Sequence, residues 1–216
     1  MLDAARAQIR EQHETLSRLD AAVGDGDHGT TMLRAMDAAA QAANQHADAD
    51  LQQLLSATGW AVMACDGGST GPLLGSWFLG MSGASAGRAE LDVSALAAVF
   101  EGGLTKLQKQ SRAQIGDKTL MDALLPAVAA LKAADPAQGV TAALAHAADA
   151  AARGAADTAN MRAKFGRARH LGDRVLGHPD PGAVSVSLIF RGFCEGLAGS
   201  NPAGHSNHAT QPPTTT

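Results

Sequence analysis

The chain has 216 residues, 45% of them hydrophobic, and a formal net charge of -4. This length and apolar content are enough to bury the core of one domain, and the weak negative charge excludes the broad basic field of proteins that bind nucleic acids or anionic membranes. Aromatic residues make up only 3% of the chain, which favours close helix packing over a β-sandwich.

Apolar residues return at helical spacing in eight blocks, which predict eight helices in an all-α bundle. In chain order the blocks cover residues 4–18, 29–45, 51–65, 72–82, 92–109, 119–133, 138–156 and 183–198. We expect a single domain over residues 1–199. Residues 200–216 are rich in Pro, Thr and Asn and predict a disordered tail. The N-terminal segment has no apolar signal-peptide core, and no apolar run approaches the roughly 20 residues of a membrane span, so we expect a cytoplasmic protein.

The connection after the first helix places three aspartates among glycines, in the stretch LDAAVGDGDHGTTM. Asp25 and Asp27 flank Gly26, so a tight loop turns both carboxylates to one side, and Asp20 reaches the same point from the preceding helix. Three hard oxygen donors suit Mg²⁺, which completes its octahedron with water and phosphate oxygens. An EF-hand is excluded because Met36 stands where the bidentate Glu belongs. A simple helix cap is the alternative role for Asp25 or Asp27.

The connection after the third helix, DGGSTG before Pro72, predicts a flexible turn into a helix. Glycines let backbone N–H groups approach a phosphate, and a helix N-terminus supplies free donors and partial positive charge. The Gly-Lys-Ser/Thr ending of a Walker A loop is missing. An ordinary helix connection is therefore the alternative interpretation.

The connection before the sixth helix carries the sequence GDKTLMDALLPA. Asp117 or Thr119 stands where a helix cap belongs, and capping explains most of this pattern. We expect Lys118 to be a solvated side chain, with contact to a nucleotide phosphate as the alternative.

The connection before the last helix is basic, although the protein is mildly acidic. Five of the seventeen Lys and Arg residues fall within thirteen positions of MRAKFGRARHLGDRVLGHPDPGA, namely Arg162, Lys164, Arg167, Arg169 and Arg174. The planar fork of Arg suits phosphate oxygens, so this segment predicts an anion-binding site. The Pro-rich ending HPDPG predicts a rigid turn against which a base or ribose would lie. A solvated basic loop is the alternative.

These segments resemble the four signature blocks of one known family. LDAAVGDGDHG, GGSTGPLLG, GDKTLMDALLPA and GRARHLGDRVLGHPDPGA are similar, in the same order, to the nucleotide-binding L subunit of dihydroxyacetone kinases. The resemblance extends over residues 19–196. It implies an eight-helix antiparallel barrel with the nucleotide site at one end and two Mg²⁺ ions that tie the phosphates of ADP or ATP to the protein.

The resemblance also implies roles for individual residues. The metal ligands would be Asp20, Asp25 and Asp27. The nucleotide would be bordered by His28, Gly29, Thr30 and Thr31, and its phosphates would be held by Ser69 and Thr70. Its base would lie beside Leu120, and Arg167 would contact the nucleotide. Its adenosine part would be covered by Asp180, Pro181 and Gly182. No catalytic residue separate from this metal and nucleotide site is expected.

The same resemblance implies a partner for the reaction. Dihydroxyacetone would be bound by a separate K-type subunit, without which this chain would be inactive. The phosphoryl donor is either exchanging ATP or a bound ADP coenzyme that is recharged by a phosphohistidine protein of the phosphotransferase system. Alternatives are an ATP-dependent kinase subunit for a related keto-sugar such as erythrulose, and a nucleotide sensor that contacts a transcription regulator. A homodimer is also compatible with the resemblance.

Overall fold

The computed structural model describes residues 1–199, and the segment expected to form a disordered tail, residues 200–216, lies outside them. All eight predicted helices are confirmed. Short 3₁₀ turns accompany them at Pro136–Gln138, Thr158–Asn160 and Ala168–Val175. The helices are α1 (Leu2–Val23), α2 (His28–Gln45), α3 (Leu51–Met63), α4 (Thr70–Ala84), α5 (Val93–Gln108), α6 (Met121–Ala133), α7 (Gly139–Asp157) and α8 (Pro181–Gly199).

The eight helices form a closed antiparallel ring. Each helix packs against the next one in the chain, and α8 packs against α1. Gly196 lies beside Met1, and Gly192 lies beside Ala5, so α1 and α8 run in opposite directions. The predicted eight-helix barrel is thereby confirmed. None of the helices within residues 1–199 is long and apolar enough to cross a membrane.

Small residues let neighbouring helices approach closely. A Cβ atom added to Gly75 of α4 would lie 2.7 Å from the carbonyl oxygen of Gly59 in α3, and one added to Gly80 would lie 2.4 Å from the carbonyl oxygen of Gly102 in α5. The interior is filled by larger side chains, among them a cluster of aromatic rings with centroids 5.3–6.3 Å apart. The cluster consists of Trp77, Phe78, Phe100, Phe190 and Phe193. This packing explains how a chain poor in aromatic residues builds a single continuous core.

The up-and-down order of the helices places alternate connections at the same end of the barrel. The connections α1–α2, α3–α4, α5–α6 and α7–α8 meet at one end, and they are the four segments singled out from the sequence. The three intervening connections lie at the opposite end. The fold therefore brings together motifs that are up to about 160 residues apart in the chain.

Candidate functional site

A pocket of roughly 400 Å³ opens at the end of the barrel where the four connections meet. Its mouth is polar and formed by those connections. Its floor is apolar and includes Trp77, Leu124 and Ile189, which belong to the helices of the barrel. A concave site with an apolar floor and several convergent polar groups is typical of a small-molecule site.

The three aspartates of the α1–α2 connection converge at the mouth of this pocket. One carboxylate oxygen from each of Asp20, Asp25 and Asp27 lies within 4.8 Å of the others. Asp20 belongs to the last turn of α1, and its Oδ2 accepts hydrogen bonds from the backbone N–H of Gly26 at 2.9 Å and of His28 at 3.3 Å. Asp20 therefore folds the loop that presents the other two carboxylates.

The structure also bears on the capping alternative for this loop. Asp27 stands at the N-cap position of α2, but its side chain accepts no capping hydrogen bond. Asp25 and Asp27 are both exposed, and Asp25 forms an ion pair with the guanidinium of Arg167. At the opposite end of the barrel, Asp50 and Asp92 do cap their helices, each with a 2.7 Å bond from a backbone N–H. The carboxylate of Asp27 is thus spared from capping and faces the pocket.

His28 links the first turn of α2 to α8. Its Nε2 lies 2.8 Å from the hydroxyl of Ser185, and that hydroxyl donates to the carbonyl oxygen of Pro181 at 2.9 Å. The hydroxyl therefore accepts from an Nε2–H, which leaves Nδ1 unprotonated in the neutral ring. Burial lowers the pKa of His28, against the opposing effects of Asp20 and of the Pro181 carbonyl. The lowered pKa and this hydrogen bond favour a neutral ring that carries its proton on Nε2.

The α3–α4 connection contributes a glycine turn and the N-terminus of α4. Gly67 and Gly68 have φ values of +144° and +55°, which side-chain-bearing residues rarely adopt. A Cβ at Gly67 would lie 2.3 Å from the side chain of Thr31. Ser69 and Thr70 follow, line the pocket and begin α4, whose first N–H groups have no partner within the helix. Such a helix start suits an anion.

The α5–α6 connection agrees with the prediction only in part. The cap position is Leu120, and neither Asp117 nor Thr119 occupies it, but the Thr119 hydroxyl accepts from the N–H of Met121, the first residue of α6, at 3.2 Å. Instead, Asp122 within α6 reaches back and accepts hydrogen bonds from the N–H groups of Gly116 at 2.6 Å and Thr119 at 2.8 Å. Asp117 accepts from the Nζ of Lys164 at 2.6 Å and from a backbone N–H, and these bonds lower its pKa.

The expectation that Lys118 is solvated is wrong. Lys118 is only 2% exposed and lines the pocket. Its Nζ donates hydrogen bonds to the carbonyl oxygen of Thr158 at 2.5 Å and to that of His178. Burial lowers its pKa, whereas Asp180 and Asp122 act in the opposite direction. The sequence pattern gave no sign of this burial because a lysine in a Gly-rich loop is usually exposed.

The α7–α8 connection closes the other side of the pocket with the turn at residues 178–182. Oδ2 of Asp180 accepts from the N–H of Ala183 at 2.7 Å and so caps α8. Desolvation of this carboxyl raises its pKa to about 7, although the Ala183 N–H and Lys118 oppose the change. Gly182 packs against Leu120, because a Cβ at Gly182 would lie 3.4 Å from the Leu120 Cβ.

Most of the residues singled out from the sequence line the pocket together. They are Asp20, Asp25, Asp27, His28, Ser69, Thr70, Leu120, Arg167, Asp180, Pro181 and Gly182. Gly29, Thr30 and Thr31 do not line it: Gly29 is buried against α1, Thr30 is exposed, and Thr31 packs against the glycine turn. Ser111 and Ser185, which the sequence analysis did not assign to the site, also line the pocket, as does Lys118, for which it gave a phosphate contact only as the alternative. Ser185 carried no sequence signal, because its place against His28 depends on how α8 packs.

The donor set defines what this pocket suits chemically. Three carboxylates at the mouth offer the hard oxygen ligands that Mg²⁺ prefers. Beside them stand a helix N-terminus with two hydroxyl side chains and the guanidinium of Arg167, which suit phosphate oxygens. Leu120 and the Pro181–Gly182 backbone supply an apolar surface further along. This order of groups fits a metal ion, a phosphate chain and a flat apolar ring system in turn.

Comparison with known proteins finds one matching family model and several similar proteins. Residues 22–195 match the family model described as "DAK2 domain". The ADP-binding subunit DhaL of PEP-dependent dihydroxyacetone kinase 1 from Listeria innocua is 35% identical over 188 residues, which cover 87% of this chain and 89% of the relative. The D-erythrulose kinase of Mycolicibacterium smegmatis is 36% identical over 194 residues, which cover 88% of this chain but only 33% of that protein.

Solved structures give the same assignment. The native dihydroxyacetone kinase of C. freundii superposes with a TM-score of 0.71 at 28% identity, over 90% of this chain and 33% of that chain. The complex of the same kinase with AMP-PNP and Mg²⁺ superposes with a TM-score of 0.68 over the same shares.

Proposed function

As the chain belongs to the DAK2 domain family, we propose that residues 1–199 form the Mg-nucleotide-binding subunit of a dihydroxyacetone kinase. In this proposal a phosphoryl group passes from the bound nucleotide to dihydroxyacetone held on a separate K-type subunit. The observation that carries the proposal is the convergence of three aspartate carboxylates, within 4.8 Å of one another, on a pocket whose other walls suit phosphates and a base.

The aspartates would hold two Mg²⁺ ions, which neutralise the charge of the phosphate chain as transfer proceeds. Asp25 and Asp27 are exposed, and the side chain of Asp27 accepts no capping hydrogen bond, so its oxygens are available for ligation. Asp20 already accepts two backbone N–H groups and orients the loop. Arg167, now paired with Asp25, stands within reach of the same phosphates. Phosphoryl transfer depends chiefly on alignment and charge neutralisation, which these residues provide without a separate base.

The name of the Listeria relative supports a separate sugar-binding partner. The chain spans most of the Listeria relative, which is named an ADP-binding subunit, but only a third of the D-erythrulose kinase. We infer that the chain works as a subunit and that its K-type partner supplies the sugar site. A cytoplasmic location, where the sugar and the nucleotide are both available, is part of this proposal.

Two phosphoryl donors are compatible with the pocket, and the name of the Listeria relative as PEP-dependent favours the ADP coenzyme. In that arrangement a phosphohistidine protein of the phosphotransferase system would recharge ADP that stays bound. To decide, the chain is purified without added nucleotide and denatured, and the released nucleotide is identified by chromatography. Near-stoichiometric ADP supports the coenzyme arrangement. An empty site that binds Mg-ATP reversibly supports an exchanging ATP-dependent subunit.

Replacement of one carboxylate tests the metal and nucleotide assignment. Asp25→Asn removes a charge from the cluster at nearly constant volume, and we expect it to weaken Mg-nucleotide binding at least a hundredfold by titration calorimetry. Asp48→Asn makes the same change at an exposed position outside the pocket and is the matched control. Unchanged nucleotide affinity in Asp25→Asn would contradict the assignment. Turnover with a K-type subunit that survives the loss of nucleotide binding would contradict the kinase proposal.

The second candidate function concerns the acceptor. The D-erythrulose kinase is as similar to this chain as the dihydroxyacetone kinase subunit is, at 36% and 35% identity. A kinase subunit for a related keto-sugar is therefore the alternative. Turnover with the K-type partner on dihydroxyacetone and on erythrulose, compared at equal nucleotide saturation, distinguishes the two. Nucleotide binding without turnover on either sugar would instead support a non-catalytic nucleotide sensor.

A further inference from the structure

Lys118 combines two features that each raise the free energy of the folded protein. Its φ of +59° lies in the left-handed region, and it is the one residue other than glycine with positive φ in residues 1–199. Its side chain carries a charge, yet the residue is 2% exposed. Glycine would fit this backbone without strain, so the lysine side chain must contribute something that offsets both effects.

The ammonium group joins two segments that are distant in the sequence. It donates to the carbonyl oxygen of Thr158, at the end of α7, and to that of His178, at the start of the turn before α8. The same two segments are joined directly, because the Asp180 N–H donates to the Thr158 hydroxyl at 2.8 Å. A further bond of 2.8 Å runs from the Gly177 N–H to a carbonyl oxygen at position 159. Lys118 thus ties the α5–α6 connection to two segments, the end of α7 and the turn before α8, that are already bonded to each other.

The backbone of Lys118 belongs to one wall of the pocket, and its ammonium holds the other. Leu120 follows two residues later and forms the first wall. Gly182 in the second wall lies against Leu120, with contact distances of 3.4–3.6 Å for a Cβ built on the glycine. The two walls meet at this contact, beyond the phosphate end of the pocket, where the proposed function places the adenosine.

We infer that Lys118 is a positioning residue that fixes the separation of Leu120 from the turn at residues 178–182 and so sets the affinity of the pocket for the nucleoside part of its ligand. This inference rests on the proposed function. Backbone carbonyls accept two of the three N–H groups of the ammonium, so Lys118 acts through the wall that it holds. The aspartate cluster and the N-terminus of α4 are outside its hydrogen-bond network.

Two substitutions separate the role of the ammonium from that of the backbone. Lys118→Met keeps the length of the side chain but removes the donors. Lys118→Gly also removes the donors, but it relieves the strain of the positive φ. This variant should therefore fold even if Lys118→Met does not. Lys132→Met removes an exposed lysine of α6 that pairs with Glu101, and it is the matched control.

The affinities of the chain for Mg-ADP and for Mg-pyrophosphate are measured by titration calorimetry for each variant. We expect both Lys118 variants to bind ADP at least tenfold more weakly than the unsubstituted chain, with pyrophosphate affinity unchanged within twofold. Lys132→Met should leave both affinities unchanged. A loss confined to ADP is not expected from general destabilisation, which would affect both ligands.

Each other outcome overturns the inference in a distinct way. Wild-type affinity for ADP in Lys118→Gly would mean that only the backbone at this position matters. Equal losses for ADP and pyrophosphate would mean that Lys118 supports the whole site and not the separation of two walls. In both cases the proposed function stands. Failure of the unsubstituted chain to bind Mg-ADP would refute the proposed function and this inference with it.

Discussion

Replacement of Asp180 by asparagine should make the apo protein more stable at neutral and alkaline pH. Desolvation raises the pKa of the Asp180 carboxyl from 3.8 to about 7. Between these pH values the folded protein binds more protons than the unfolded chain, so the free energy of unfolding falls as pH rises. Over that interval the loss amounts to about 4 kcal/mol. We take this as an upper bound, because part of the side chain faces the open pocket.

Asparagine has nearly the same shape as aspartate, accepts the Ala183 N–H in the same way and does not ionise. We therefore expect the two proteins to differ little at pH 4 and the Asp180→Asn variant to be more stable by up to about 4 kcal/mol at pH 8. The charged groups around the carboxyl, namely Lys118, Asp122 and Asp20, are present in both proteins, so the difference isolates position 180.

The assay is urea unfolding at pH 4, 6 and 8, without nucleotide and with a chelator. Asp92→Asn makes the same substitution at the exposed cap of α5. It is the control for the effect of Asp→Asn on the free energy of unfolding at an ordinary helix N-terminus. The reasoning would be refuted if the wild type and Asp180→Asn differed by the same free energy at pH 4 and pH 8. It would also be refuted by a variant that is less stable than the wild type at pH 8.

Two further predictions concern stability. Gly192→Ala should destabilise the protein by about 3 kcal/mol or more, because the new Cβ would lie 2.3 Å from the Cα of Ala5 in α1. Gly83→Ala is the control: it lies in α4 with nothing within 4 Å of the new Cβ and should stabilise the protein by up to about 1 kcal/mol. Thermal unfolding compares the two variants, and equal midpoints would contradict the close-packing account. Asp122→Ala should cost about 3 kcal/mol in urea unfolding, since it leaves two backbone N–H groups without an acceptor, and a loss below about 1 kcal/mol would show that the loop finds other partners.

The helices were predictable because each presents a repeated apolar face to one core. The eight blocks read from the sequence match α1 to α8, with the largest differences at their ends. The first helix runs to Val23, beyond the predicted residue 18, since its last turn carries Asp20 and two exposed alanines, Ala21 and Ala22, which do not continue the apolar face. Boundaries of this kind depend on local hydrogen bonds, which periodicity does not report.

The site was predictable to the extent that it lies in loops of unusual composition. The clusters around Asp25, Ser69 and Asp180 carry glycines, hydroxyls and carboxylates that have few uses in an ordinary connection. The roles of Lys118 and Asp122 were not predictable. Both roles depend on which segments the closed ring brings beside the α5–α6 connection. The local sequence pattern around these residues does not indicate those distant neighbours.

The aspartates of the α1–α2 connection are used differently from those at the opposite end of the barrel, which explains why they are available for function. At the end opposite the pocket, Asp50, Asp92 and Asp135 each accept a backbone N–H at a helix start, which is the ordinary use of aspartate there. In the α1–α2 connection, Oδ2 of Asp20 accepts the N–H groups of Gly26 in the loop and of His28 at the start of α2, and the side chain of Asp27 accepts no capping bond. In both places an Asp stands directly before a helix. What distinguishes Asp27 is a second carboxylate, seven residues earlier in the chain, that holds the loop so that Asp27 faces the pocket.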